Sequence, residues 1–523
     1  MTQKQRNVND ATFAAALALH EAGRLDEAAP LYGEILRRTP RHSGSLNLLG
    51  VVASQRGQFE EAVGLIKRAI AIVPGEASYR INLGVVLREQ RRVREAAEAF
   101  RAAVALAPAH AEGFNGLGVT LAESGQVAEA RAAYERALTL RPDYADAANN
   151  FGNLLAQEGE LAAAIRWLQR AVAAEPHFAD AHNNLGVALA QSGDGAAAEA
   201  AFRAALALAP GLADAHYNLG MARLAAGDFA AGWRGYEWRW QSRQLAATKR
   251  AFAAPQWQGE PGEGVLLIHA EQGFGDTLQF CRYAADAAAL GWSVLLEVPP
   301  ALTRLLQRSL EGVAQIVVQG ARLPHFDAHV PMMSLPLALG APPPAMAAPY
   351  LCADPARAAL FRRRMDPGRR VLRIGLCWAG NPRPDAPLLA AIDRRRSVPP
   401  EKLAPLLDMP GLEIYALQKG GPDFRGPINF MPDVADFADT AALIENLDLV
   451  ISVDTAVAHL AAGMGKPVWL LNRFDSCWRW GTRQSRTGWY PKMRIFNQPK
   501  PGDWDGVVVS VLREIRSKNF QFF

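Results

Sequence analysis

From residue 9 to about residue 212 the chain repeats one arrangement of apolar, small and polar positions every 34 residues. Prolines stand at 40, 74, 108, 142, 176 and 210. In phase with them run Gly50, Gly84, Gly118, Gly152, Gly186 and Gly220, and also Ala28, Ala62, Ala96, Ala130, Ala164 and Ala198. Four residues after each of these alanines comes a large side chain: Tyr32, Ile66, Phe100, Tyr134, Leu168 and Phe202. Apolar residues spaced three and four apart fill the intervals, which is helical spacing. Two antiparallel helices per unit are therefore expected. The small residues let the backbones approach where the helices cross, and the large residue fills the gap between neighbouring units. The proline ends the second helix, because it lacks a donor and clashes with the preceding turn.

The six units resemble tetratricopeptide repeats (TPRs), whose period is 34. A seventh, partial unit keeps Leu219-Gly220 but has Gly232 in place of the alanine and no closing proline. Its second helix turns aromatic, with Trp233, Tyr236, Trp238 and Trp240. A solenoid over 9–245 is expected, its last helix docking onto another domain. Two residues before the repeat glycine lie Asn82, Asn150, Asn184 and Asn218, with Leu48 and Gly116 as exceptions. Asn is a poor helix former, so its recurrence on first helices needs a reason. The column resembles the asparagine ladder of the O-linked N-acetylglucosamine transferases. That resemblance implies a concave face that binds an extended peptide.

Beyond residue 255 the pattern changes to short apolar runs alternating with helical stretches, the sign of α/β architecture. Strands are expected at Val265–His269, Val294–Val298, Gln315–Val318, Arg373–Trp378, Leu412–Leu417, Leu449–Val453 and Val468–Leu471. A Pro/Ala/Arg-rich stretch, 341–370, reads as a linker between a first Rossmann-like lobe at 255–340 and a second lobe at 371–518. Two such lobes make a GT-B-like pair, and ligands in open α/β sheets bind beyond the carboxyl ends of the strands.

Two loops at such ends carry candidate chemistry. His269-Ala-Glu-Gln-Gly-Phe-Gly-Asp276-Thr runs from a strand through two glycines into a helix. It lacks the spacing of a dinucleotide fingerprint. Asp276 is the candidate general base, with the helix-cap role as its alternative. His269, Gln272, Gly273, Gly275 and Thr277 form the acceptor-side loop around it. In the second loop, Val-Asp454-Thr455-Ala456-Val457-Ala-His459, the amides that open a helix suit a pyrophosphate. The Gly-Asp element and the Asp-Thr-x-x-x-His-Leu run resemble motifs of the bacterial heptosyltransferases, glycosyltransferase family 9. Trp378-Ala-Gly-Asn381-Pro, Asp393-Arg-Arg-Arg396-Ser and Leu417-Gln418-Lys419-Gly resemble motifs of TPR-linked bacterial glycosyltransferases. The resemblance implies that Trp378, Asn381, Arg396, Gln418, Lys419, Asp454, Thr455, Ala456, Val457 and His459 bind the donor. The segment 382–392 departs from the family pattern, being richer in apolar residues than the polar stretch expected there.

Composition alters this picture little. Half the residues are apolar and the net charge is only +4, which favours no nucleic-acid partner. Between Arg357 and Lys402 twelve Lys/Arg face four Asp/Glu, a basic run suited to an anionic ligand. The four cysteines are widely spaced and form no zinc or disulfide pattern. No stretch reaches the ~18–20 apolar residues of a membrane span, and a cytoplasmic location is expected. No resident cofactor or metal is expected, since the nucleotide-sugar is a substrate and the C-terminal half is read as holding no Asp-x-Asp. The expected activity is an inverting, metal-independent glycosyl transfer to a protein hydroxyl, with flagellin or another surface protein as the acceptor implied by resemblance. The alternative is a non-catalytic TPR scaffold with a degenerate transferase module.

Overall fold

The computed structural model describes residues 3–243, 245–340, 349–365, 371–382, 387–420 and 422–517. The Pro342–Pro344 run and residues 383–386 of the divergent segment lie outside them. The chain divides into two compact units, Met1–Ala181 and His182–Phe523.

The first unit is all helical, beginning with Gln3–Glu21 and Leu25–Arg38 and continuing in pairs such as Ala77–Glu89 with Val93–Leu106. Second helices stop two residues before each repeat proline, at Arg38, Ile72, Leu106, Leu140 and Ala174. The residue between is forced out of helical geometry, as at Thr39 (φ −138°, ψ 83°), because a proline follows. The repeat alanines 28, 62, 96, 130 and 164 have no exposed surface. A methyl on Gly84 would come within 2.7 Å of the Phe100 ring, and one on Gly118 within 2.7 Å of Tyr134. The large residue therefore packs first on the glycine of its own repeat. Phe100 also reaches Gly116 of the next repeat, so it seals the gap between neighbours as well.

Each pair of helices is joined by a tight turn whose second residue is in the left-handed region. Gly23, Gly57, Gly125 and Gly159 take φ values of 73° to 84° there. In the third repeat the same position is Arg91, with φ 62°. The asparagine column also has a partner column one residue earlier. Asn82 Nδ2 donates to Asn47 Oδ1 at 3.1 Å, and Asn150 Nδ2 donates to Asn115 Oδ1 at 3.1 Å.

The second unit begins with the last repeats and contains two parallel sheets. The first sheet has β1 (Val265–His269), β2 (Ser293–Val298), β3 (Ala314–Val318) and β4 (Ala328–Pro331) in the order β3-β2-β1-β4. The second has β5 (Leu372–Cys377), β6 (Leu412–Ala416), β7 (Ile428–Asn429), β8 (Leu449–Val453), β9 (Val468–Asn472) and β10 (Met493–Asn497) in the order β10-β9-β8-β5-β6-β7. All named pairings are parallel. The architecture is thus a TPR solenoid followed by a GT-B-like pair of Rossmann-type lobes. Three strands were not expected from sequence: β4 contains His329 and ends in a proline, β7 is two exposed residues, and β10 mixes Met, Arg and Asn. Within the stretch read as a linker, Pro355–Arg364 is a helix capped by Asp354, whose Oδ1 accepts from Ala356 and Arg357 N–H at 2.8 and 3.1 Å. Its Phe361 is buried, and Arg357 Nε donates to Asp439 at 2.8 Å.

The boundary between the two compact units falls at 181/182, inside the repeat array. The reason is packing. Trp233 is 2% exposed and meets Phe280 edge-on at 5.7 Å and Trp478 at 5.2 Å. Tyr236 is equally buried. Gly220 and Gly235 let the last two helices touch backbone to backbone, since a methyl on Gly220 would lie 2.6 Å from the Gly235 carbonyl carbon.

Candidate functional site

Both sheets reverse their strand order beside the first strand of the lobe, between β1 and β4 and between β5 and β8. Ligands of open α/β sheets bind at such switch points, outside the carboxyl ends of the strands. The loop 269–276 leaves β1, and the loops 378–381 and 454–455 leave β5 and β8, so the sequence candidates sit at these two crevices.

On the first lobe, β1 delivers His269 and the helix Phe274–Phe280 begins four residues beyond Ala270. Asp276 is partly exposed. Its Oδ2 accepts from Gly273 N–H at 3.0 Å, so the capping role considered for it is present. Its other oxygen is ion-paired with Arg479 of the second lobe. The other titratable side chains of this loop, His269 and Glu271, are engaged elsewhere. His269 is 2% exposed and lies 3.4 Å from the His329 ring nitrogen beside Phe252; burial pushes its pKa down to about 3. Glu271 accepts from Arg239 at 3.0 Å, and burial pushes its carboxyl up to about 7 despite that guanidinium. Gln272 donates to the Tyr236 hydroxyl at 2.7 Å, and Thr277 is buried, its hydroxyl on Gly273 O at 3.3 Å. Gly275 is the point of closest approach: a methyl there would lie 3.0 Å from His459 Cδ2.

On the second lobe, Thr455 is the N-cap of the helix Ala456–Gly463 with extended backbone (φ −139°, ψ 171°). Its hydroxyl is 3.1 Å from Ser452 Oγ and 3.6 Å from Cys377 Sγ. Ala456 and Val457 follow as the first helical residues. His459 is buried one turn on, its Nδ1 2.8 Å from the Tyr490 hydroxyl and its Nε2 4.0 Å from Asp454. Burial, aided by the nearby Arg479 charge, lowers its pKa to about 3, so it is a neutral imidazole at physiological pH. The His459 ring lies 5.3 Å from that of Trp480.

Several donor-side candidates turn out to brace these loops. Trp378 is 4% exposed, donates its indole N–H to Pro422 O at 3.1 Å and packs edge-on against Phe424. It is part of the buried core. Gln418 Oε1 accepts from the N–H groups of Trp378 (3.2 Å) and Ala379 (2.9 Å) and so fixes the loop after β5. Arg396 donates to Asp454 O at 2.9 Å and is ion-paired with the buried Asp393, which ties the loop after β8 to the helix Pro387–Arg396. Gly380 has no room for a side chain because Arg396 and Asp393 lie against it. Asn381 and Lys419 are exposed, and Lys419 Nζ donates to Val434 O and Ala435 O, both at 3.0 Å, leaving one N–H. Of the repeat residues, Asn218 Nδ2 donates to Asn183 at 3.0 Å; Asn82, Asn150, Asn184 and Asn218 are all half-buried.

One Asp-x-Asp does occur in the C-terminal half, Asp503-Trp504-Asp505, beyond the loops. Its residues are structural: Asp503 accepts from Gly506 N–H at 2.9 Å, Asp505 pairs with Lys402 at 2.5 Å, and Trp504 is buried. Sequence reading missed Arg479, which belongs to Trp478–Trp480 after β9. Besides Asp276 it binds Gln279 Oε1 at 2.5 Å and lies 4.4 Å from the Trp478 ring. The signal for it was the run Cys477-Trp-Arg-Trp-Gly481, an arginine framed by aromatics.

Tetratricopeptide-repeat profiles match residues 13–77, 81–145, 152–193 and 179–212. The glycosyltransferase family 9 (heptosyltransferase) profile matches residues 427–475, the segment that holds β8, Asp454, Thr455 and His459. A curated relative, protein FlbA of Caulobacter vibrioides, is 28% identical over 321 residues, 54% of this chain and 52% of that protein. The chain thus spans about half the length of the curated relative it matches. Among solved structures, PilF of Pseudomonas aeruginosa is 23% identical, covering 41% of this chain and 97% of its own, with a TM-score of 0.37. YrrB, described as a TPR protein with an unusual peptide-binding site, is 22% identical over 35% of this chain and 95% of its own, with a TM-score of 0.29. Among the described residues no helix is long and apolar enough to cross a membrane. The chain thus carries tetratricopeptide repeats across its N-terminal region, and its C-terminal α/β module matches the glycosyltransferase family 9 profile over residues 427–475.

Proposed function

We propose that the protein moves a glycosyl group from a nucleotide-sugar to a hydroxyl of a protein held by its repeats. In this reading the transfer inverts the anomeric centre and uses no divalent metal. The supporting observation is the convergence of the two switch-point loops: Gly275 packs on His459, and Arg479 reaches across to Asp276. The donor pyrophosphate lies at the start of the helix Ala456–Gly463, where the Ala456 and Val457 amides and the helix dipole meet negative charge. Lys419 assists from its exposed position. The acceptor oxygen attacks the anomeric carbon as the bond to the diphosphate breaks, and Asp276 takes the hydroxyl proton. Arg479 holds that carboxylate in place. Flagellin or another surface protein is the acceptor class in this reading.

A second reading has its own support. Both Asp276 oxygens are engaged, and Arg396 and Gln418 are tied to backbone, as a non-catalytic scaffold would have them. One experiment separates the two. The purified chain is screened for thermal stabilisation by UDP-, ADP-, GDP- and CMP-sugars, and nucleotide release is then followed with the best of them. The transferase reading expects turnover that survives excess EDTA and falls roughly 10²–10⁴-fold in Asp276→Asn, with nucleotide affinity unchanged. No stabilisation by any donor, or wild-type turnover in Asp276→Asn, would overturn it. Strict dependence on added Mg²⁺ would remove the metal-free part.

A further inference from the structure

The crevice at the switch point of the first lobe, between the loops that leave β1 and β4, is occupied by a side chain from the terminal repeat. Arg239 follows the helix Phe229–Tyr236 and has no exposed surface. One of its terminal nitrogens donates to Glu271 Oε1 at 3.0 Å, on the loop after β1, and to Ser334 Oγ at 2.7 Å, on the loop after β4. The other donates to Glu237 Oε1 at 2.6 Å. Ser334 Oγ in turn donates to Glu237 at 2.8 Å, and Met333 N–H donates to Glu271 at 3.3 Å. One residue further on, Gln272 donates to the Tyr236 hydroxyl at 2.7 Å. Glu271 and Gln272 immediately precede Gly273, whose N–H is bound by Asp276. The side chains of the two residues leading into the candidate base are therefore both held by the terminal repeat.

We infer that Arg239 and Tyr236 are positioning residues for the acceptor-side loop, so that the terminal repeat completes the transferase site and is not a tether to it. A buried guanidinium is costly to desolvate, and one that binds two loops at once holds both in a single arrangement. The role falls on loop geometry and on no other part of the reaction. The donor is bound by the second lobe, so donor affinity is independent of it. This inference rests on the transferase reading for its catalytic consequence, but its structural part is testable without it.

The experiment compares the full-length wild type with Arg239→Lys and Tyr236→Phe. The first variant keeps the charge and loses the fork; the second loses one hydroxyl and keeps the ring. Nucleotide release is measured with the nucleotide-sugar that most stabilises the wild type, and hydrogen exchange is followed on the peptide spanning 270–280. The expected result is a fall in kcat of ten-fold or more in Arg239→Lys, and a smaller fall in Tyr236→Phe. KM for the donor is unchanged, and exchange at 270–277 is faster in both. Wild-type kcat in both variants overturns the positioning role. A rise in donor KM matched by a lower melting temperature also overturns it, because that pattern belongs to general destabilisation. If the wild type turns over none of the donors, the transferase reading fails, and hydrogen exchange alone decides the inference: unchanged exchange at 270–277 defeats it.

Discussion

Arg91 holds a φ of 62° at the turn position where Gly23, Gly57, Gly125 and Gly159 stand in other repeats. A side chain in the left-handed region costs roughly 1–2 kcal/mol. Arg91→Gly is therefore expected to raise the stability of the first unit by about 1 kcal/mol, seen as a later urea midpoint; an unchanged or earlier midpoint would refute this. His459 sets a different expectation. Its pKa is about 3 when folded, against 6.5 for a free imidazole, so below pH 6.5 the unfolded chain binds a proton that the folded chain refuses. Stability is then full above pH 6.5 and is lost as pH falls towards 3. The slope is at most ~1.4 kcal/mol per pH unit. His269 behaves alike, for the same reason of burial. His459→Gln should flatten the loss of stability between pH 7 and pH 5 relative to wild type, in urea unfolding at each pH. Equal slopes in the two proteins would show that His459 does not titrate in this way.

At the scale of the helix and strand, the glycines divide by what surrounds them. Gly84 faces the Phe100 ring at 2.7 Å, whereas Gly64, on the exposed face of the helix Phe59–Ile72, has nothing within 4 Å of an added methyl. Gly84→Ala should destabilise by about 1–3 kcal/mol through overpacking. Gly64→Ala should stabilise by about 0.5–1 kcal/mol by removing backbone freedom from the unfolded chain. Thermal unfolding of the two variants checks both signs. The same contrast explains what was legible in the sequence. The helix pairs were readable because the small residues recur with the packing that requires them. β1 and β8 were read to their ends because buried parallel strands are near-continuous apolar runs, interrupted here only by His269 and Ser452. β4 was hidden by His329 and Pro331, which a four-residue strand tolerates. At the candidate site, the loop from Asp454 to His459 could be placed because its strand, turn and helix follow one another in the chain. Arg479 carried only the local signal of its aromatic flanks; its pairing could not be read, because Asp276 lies 203 residues away and is brought to it only by the fold. For the same reason the contacts of Gln418 and Arg396 with neighbouring loops could not be read from the sequence.

At the scale of the molecule, Asn82, Asn150 and Asn218 each donate to an asparagine of the preceding repeat, Asn47, Asn115 and Asn183 respectively. The proposed grip on an extended peptide uses these amides, which have acceptor and donor capacity beyond one bond. Replacing Asn150, Asn184 and Asn218 together by Ala should weaken acceptor capture in a pull-down and leave nucleotide binding unaltered. Recovery of the same partners in the same yield would count against the ladder. The placement of the unit boundary at 181/182 carries a consequence for how such a chain changes over generations. A 34-residue duplication or deletion upstream of that boundary adds or removes one link and leaves Trp233, Tyr236 and Arg239 in their sockets. A recombination joint near residue 245, where repeats give way to strands in the sequence, would cut these residues away from the lobe that buries them. The number of upstream repeats is thus free to drift, while the last repeat must be inherited together with the α/β module that buries it.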